Sequence, residues 1–166
     1  MIELRCFDER DWPALWGLLE PVFRAGETYA FPTDIDAAEA RSRWVDAPTA
    51  TWLAFNPSGE LVATYYIKPN QPGPGSHVCN CGYIVADHAR GQGIAGTLCE
   101  HSQAEALRLG FRAMQYNLVV ETNKGAIHLW EKHGFGIVGT LPGAFRHPTQ
   151  GYVDAHIMFK TLVTEG

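Results

Sequence analysis

The chain has 166 residues, 46% hydrophobic, 11% aromatic and 19% charged, with 17 Gly and 10 Pro, the make-up of an ordinary globular protein and not of a disordered or collagen-like one. Thirteen Lys and Arg against eighteen Asp and Glu leave a formal charge of −5, so the basic footprint of a nucleic-acid binder is missing. No apolar run approaches the roughly 18 to 20 residues that cross a bilayer, and Met1-Ile2-Glu3-Leu4-Arg5 lacks the regions of a signal peptide, so the expectation is one cytoplasmic domain over residues 1–166 that engages neither nucleic acid nor membrane.

Ile2 to Phe7 alternates apolar and polar residues and predicts a first strand. Asp8 is a candidate N-cap, after which Trp12, Leu15, Trp16, Leu19, Val22 and Phe23 recur at helical spacing until Gly26. A short helix is predicted over Asp36 to Val45, before Pro48. Thr49 to Asn56 and Leu61 to Lys68 flank the turn Pro57-Ser58-Gly59 as a hairpin. Pro69 to Gly75, rich in Pro and Gly, is a loop.

Val78 to Val85 is the next strand, Ile94 to Leu109 a helix, Ala113 to Val120 a strand and Asn123 to His133 a helix closed by Gly134. Two last strands, Gly136 to Leu141 and Asp154 to Leu162, flank a predicted loop with Pro142, Gly143, Pro148 and Gly151. An antiparallel run followed by one β-α-β crossover argues for an α+β fold with a mixed, mostly antiparallel sheet. Cys6, Cys79, Cys81 and Cys99 lack the density of a disulfide scaffold. The potential ligands in His77-Val78-Cys79-Asn80-Cys81 alternate at strand spacing without a second ligand cluster, so no metal is expected.

The most informative segment runs from Val85 through Arg90-Gly91-Gln92-Gly93-Ile94-Ala95-Gly96, a strand end passing through glycines into a helix. The first N–H groups of a helix lack intrahelical acceptors and carry partial positive charge, so such a junction suits a phosphate. No Lys-Ser or Lys-Thr follows, which excludes a P-loop. Gly91-x-Gly93-x-x-Gly96 fits a dinucleotide fingerprint literally, with Glu121 as the ribose-binding acid, but four residues separate Val85 from Arg90 and no alternating βαβαβ halves surround it. A plain packing turn is the third alternative.

Arg90-Gly91-Gln92-Gly93-Ile94-Ala95 resembles the Arg/Gln-x-x-Gly-x-Gly/Ala signature of the GNAT superfamily of acyl-CoA N-acyltransferases. The run from Asn123 through Ala126, Leu129 and Trp130 to Gly134-Phe135 is similar to that family's second motif, in the right order and spacing. The resemblance implies a sheet splayed between the strands ending at Val85 and Val120, with helices on both faces and acetyl-CoA in the V-shaped gap. It implies that the pyrophosphate meets the amides of Gly91 to Gly96, that the pantetheine pairs with Tyr83, Ile84 and Val85 like an added strand, and that Asn123 contacts the pantetheine arm or the helix start. Family habit implies a homodimer. The activity implied is acetyl transfer to a small-molecule amine, with a protein Nα- or lysine acetyltransferase and a catalytically silent CoA-binding module as alternatives.

Trp130 stands where the family often has a tyrosine acid, and indole N–H is no useful acid. Tyr116 or Tyr152 could protonate the leaving thiolate, unless it needs no acid. Glu121 and His156 are candidate bases. Asn80 and Asn117 lie mid-strand, where asparagine is disfavoured, and serve either a structural network or a substrate. The segments around Asn80, Asn117 and Asn123 are similar to fungal enzymes that acetylate proline analogues such as azetidine-2-carboxylate. That similarity implies a catalytic constellation of Asn80, Asn117 and Asn123, reading an amine and a carboxylate with neutral amides.

Overall fold

The computed structural model describes residues 1–164. Strand β1 (Glu3–Cys6) ends at a 3-10 turn, Glu9–Asp11, that starts α1 (Trp12–Ala25). The turn forms because Asp8 and Asp11 cap each other's backbone reciprocally. Gly26, at φ 64°, ends the helix in the left-handed region. Helix α2 (Ala37–Arg41) is capped by Asp36, whose carboxylate accepts from the Glu39 amide at 2.8 Å, and it continues as a π-helical turn, Ser42–Asp46.

Strands β2 (Ala50–Phe55), β3 (Leu61–Pro69) and β4 (Val78–Val85) follow, then α3 (Ile94–Arg108), β5 (Ala113–Val120), α4 (Lys124–Lys132), β6 (Gly136–His147) and β7 (Gly151–Thr161). They make one seven-stranded sheet in the order β1-β2-β3-β4-β5-β7-β6, antiparallel except for the β4–β5 pair. Helices cover both faces. Leu15, Leu19 and Phe23 of α1 pack with Trp44 against Leu53, Tyr66 and Ile84. On the other face Ile94, Leu98 and Cys99 of α3 and Trp130 of α4 pack against Tyr65, Cys81, Met114 and Met158. This is the expected α+β architecture.

The last hairpin corrects the sequence reading. The stretch taken as a loop is strand: β6 runs on to His147 and β7 begins at Gly151. Pro142 falls at a break in register between Leu141 and Phe145 on the sheet's edge, where its missing N–H removes no ladder bond. Gly143, at φ 58°, donates its amide to Asp154 Oδ1 at 2.9 Å and carries the strand past the break.

The feature that positions the site is the failure of one ladder. Strands β4 and β5 pair only at Val78/Ala113 and Cys79/Met114, then separate.

Candidate functional site

Which backbone groups face this gap follows from the β3–β4 ladder. Asn70 donates to Val78 and Ala86 to Val62, each at 2.8 Å, so Asn80, Gly82 and Ile84 of β4, which lie between them at alternate positions, also turn their N–H and C=O to β3. Cys81, Tyr83 and Val85 therefore turn theirs into the gap, with no strand opposite. The Tyr83 carbonyl is met there by the Tyr29 hydroxyl, which donates at 2.9 Å. At the apex, where the β4–β5 ladder would next pair Asn80 with Gln115, the Asn80 side chain substitutes for it: its Nδ2 donates to the Gln115 carbonyl at 3.0 Å.

A cavity of about 680 Å³ occupies the gap. Of the residues assigned to the cofactor from sequence, Tyr83, Ile84, Val85, Arg90, Gly91, Gly93, Ile94, Ala95, Gly96 and Asn123 line it. Gln92 does not; it is exposed and outside the lining. Gly91 and Gly93 both have φ of 77°, a conformation that costs a side-chain-bearing residue strain and leaves glycine free. Gly93 caps α3, and the first backbone bond there is from Thr97 to the Gly93 carbonyl at 3.1 Å. The amides of Ile94, Ala95 and Gly96 thus have no acceptor within the helix. Arg90 is exposed and pairs with Asp87 at 3.2 Å. Gly96 has a further duty: a Cβ there would lie 3.3 Å from His133 Cε1, so its smallness lets α3 pack closely on the end of α4.

All three candidate asparagines line the cavity. Asn80 is buried, its Oδ1 accepting from the Tyr66 hydroxyl at 3.0 Å and its Nδ2 reaching Gln115, so it retains one N–H and one lone pair. Asn117 lies at a bulge, where β5 offers two residues between its Tyr116/Met158 and Val119/His156 pairs and β7 only one. Its Nδ2 donates to Asn70 Oδ1 at 2.7 Å and its Oδ1 accepts from Gln115 Nε2 at 3.0 Å. Asn123 occupies the cap position of α4 without making the side-chain cap bond.

The candidate acids and bases fare differently. Tyr116 lines the cavity, but its hydroxyl is engaged with the Tyr83 hydroxyl at 3.0 Å, and Tyr83 in turn with Ser102 at 2.6 Å. Burial holds both phenols well above the ordinary tyrosine value. Tyr152 is exposed on β7 and lies outside the cavity lining. Glu121 and His156 lie outside it too, Glu121 3.8 Å from Lys124 Nζ and His156 Nδ1 2.8 Å from Thr140 Oγ1. Among the described residues lining the cavity, Arg90 is the one charged side chain.

Tyr29, Phe31 and Tyr66 also line the cavity, and sequence reasoning missed them. Tyr29 and Phe31 stack at 5.8 Å with planes 14° apart, and Tyr66 stands edge-on to Trp44 at 4.8 Å. Gly82 makes room for Tyr66, since a Cβ at that position would sit 2.3 Å from the ring. The available signal was the aromatic pair in the loop after Gly26, Tyr29-Ala30-Phe31, in a stretch where exposed rings would need a reason.

A strand-flanked gap that opens onto a glycine turn and a helix N-terminus is the arrangement the sequence motifs pointed to. A family profile described as "Acetyltransferase (GNAT) family" matches residues 12–135. The chain belongs to the GNAT acetyltransferase family. A solved structure of a GCN5-related N-acetyltransferase from Kribbella flavida is 40% identical, with a TM-score of 0.91 over 96% of this chain and 97% of that one. The N-acetyltransferase aca1 of Schizosaccharomyces pombe is 38% identical over 112 residues, 67% of this chain and 54% of that protein, so the match spans about half of the relative's length. A phosphinothricin acetyltransferase from Sinorhizobium meliloti, solved in complex with acetyl-CoA, shares the fold with a TM-score of 0.84 at 18% identity, covering 96% of this chain and 88% of that one.

Proposed function

We propose that this GNAT protein is an N-acetyltransferase that takes acetyl-CoA as cosubstrate and acetylates the amine of a small molecule, with proline analogues and related amino acids as the acceptor class. The observation that carries the reading is the gap itself: unpaired main chain of Cys81, Tyr83 and Val85 along one side, leading to the amides of Gly91 to Gly96. An amide-bearing pantetheine arm matches the first and a diphosphate the second. Arg90 adds charge beside the diphosphate. The Tyr83 carbonyl has two lone pairs, so the Tyr29 hydroxyl and a ligand amide can share it.

Acetyl-CoA brings an activated thioester, and the protein supplies placement and polar groups. The amine nitrogen attacks the carbonyl carbon and forms the new N–C bond; the C–S electron pair leaves with sulfur as thiolate, and the amine's proton passes to solvent. No carboxylate, imidazole or ammonium lines the cavity among the described residues, so the acceptor must enter as the free base. Asn117 and Asn123 both line the cavity, and in this reading their amides donate to the thioester carbonyl and polarise it. Asn80, with one N–H and one lone pair spare, faces the acceptor beside Tyr29, Phe31 and Tyr66. Neutral amides and aromatic rings suit a compact amine that carries its own carboxylate, and the S. meliloti phosphinothricin enzyme supports a small-molecule acceptor. A cytoplasmic homodimer is the proposed state, after the family's habit.

A screen of proline analogues, free amino acids and polyamines, read by CoA thiol release and product mass, tests the reading. The expected result is acceptor-dependent CoA release with a 1:1 N-acetyl product from a proline analogue. Tight CoA binding with no acceptor-dependent release across the panel would instead establish a CoA-binding module without turnover.

A further inference from the structure

We propose that Trp130 limits the acyl group this enzyme accepts to two carbons; the proposal rests on the acetyl-CoA reading above. Three sides bound the place where β4 leaves β5. The apex is shut by the Asn80 to Gln115 bond. On the side of α3 and α4, the Trp130 indole lies 4.8 Å from the Tyr83 ring and 4.9 Å from the Tyr116 ring, so one side chain bridges both strands beneath the split. The third side, towards Tyr29 and Tyr66, is the side from which an acceptor enters.

The bridge is backed by buried structure. Tyr116 stacks on Phe135 at 4.4 Å with planes 19° apart, and the Tyr83, Tyr116 and Ser102 hydroxyls form one hydrogen-bonded chain. Trp130 is only 8% exposed and still lines the cavity, so it is wall and core together. Displacing the indole strips the Tyr83 and Tyr116 rings of their packing and opens a void among close-packed rings, which resists its movement. An acyl chain longer than acetyl therefore meets Trp130 on one side, and on the other takes the acceptor's place. Trp130 acts here as a specificity-determining wall and donates no proton to the reaction.

Calorimetric affinities for CoA, acetyl-CoA, propionyl-CoA and butyryl-CoA test this when measured with saturating tetrahydrofuran-2-carboxylate, a ring-oxygen proline analogue that fills the acceptor's side and cannot be N-acetylated. The wild type is expected to bind CoA and acetyl-CoA alike and to lose about tenfold or more in affinity on going to propionyl-CoA, the discrimination typical of one surplus methylene in a closed pocket. Trp130→Leu, and the harsher Trp130→Ala, should recover most of that loss. Phe135→Leu, which alters the same aromatic cluster behind Tyr116, should leave the acetyl-to-propionyl ratio unchanged, whereas a purely structural role for Trp130 would make all three variants alike. Equal affinity of the wild type for acetyl- and propionyl-CoA, or an unchanged ratio in Trp130→Leu, overturns the proposal and leaves the acetyltransferase reading standing. Failure of the wild type to bind CoA at all overturns both.

Discussion

Asn80 and Asn117 occupy similar mid-strand positions and do different work. Asn80 ties the apex of the gap, with both ends of its amide bonded inside the protein. Asn117 stands exposed at a bulge, held at one edge by Asn70 and Gln115. Asn117→Ala is therefore expected to lower kcat/KM by about tenfold to a thousandfold, the range for loss of one polarising donor, with the melting temperature nearly unchanged. Steady-state kinetics beside a thermal melt checks it, and unaltered kinetics would remove Asn117 from the chemistry. Gly82→Ala makes the opposite kind of change. Its new methyl meets a Tyr66 ring held by Trp44 and by Asn80, so a loss of about 1–3 kcal/mol is expected in denaturant unfolding, as for overpacking elsewhere. Gly91 and Gly93 could be read from the sequence because they stand together in one local motif between a strand and a helix. Gly82 could not, because its reason is a tyrosine sixteen positions earlier in the chain that only the β3–β4 pairing brings over it.

The elements show the same division between local and distant causes. Asp8, read as a cap, caps the 3-10 turn Glu9–Asp11 that leads into α1 at Trp12, and the short helix read over Asp36 to Val45 is α2 with its π-helical continuation. The β6–β7 hairpin was misread because proline and glycine signal a loop locally, while an edge strand tolerates both once a neighbour fixes the register. The splay is a third case: the family motifs implied it, but the Asn80 side chain that holds its apex and the Tyr29 hydroxyl that meets its open carbonyl depend on segments far apart in sequence. At the start of α1, the Asp11 carboxylate is bonded by both Arg5 guanidinium nitrogens at 2.8 Å, which holds its pKa below the ordinary carboxylate value. A folded-state pKa below the unfolded one gives stability that is present above the unfolded value, about 3.9, and lost as pH falls through the folded value. Asp11→Asn should thus melt lower than wild type at pH 7, with the difference closing below about pH 4. A difference that stays constant from pH 7 to pH 3 would show that the charge of Asp11 contributes nothing.

Across the molecule, two cores on opposite faces of one sheet hold the strands rigidly except where β4 and β5 part, and the cavity lies at that parting. Among the described residues lining the cavity a single arginine carries charge, and the gap otherwise offers main-chain amides. Polar recognition is thereby built from backbone geometry, which is why the glycine turn was the most legible part of the site and the aromatic wall the least. The account stands on that gap receiving coenzyme A. Backbone amide resonances followed during titration with CoA test this residue by residue: those of Cys81, Tyr83, Val85 and Gly91 to Gly96 should shift together and saturate, while those of the β6–β7 hairpin stay in place. A titration in which these gap amides do not move, or in which the shifts gather elsewhere on the surface, would contradict it.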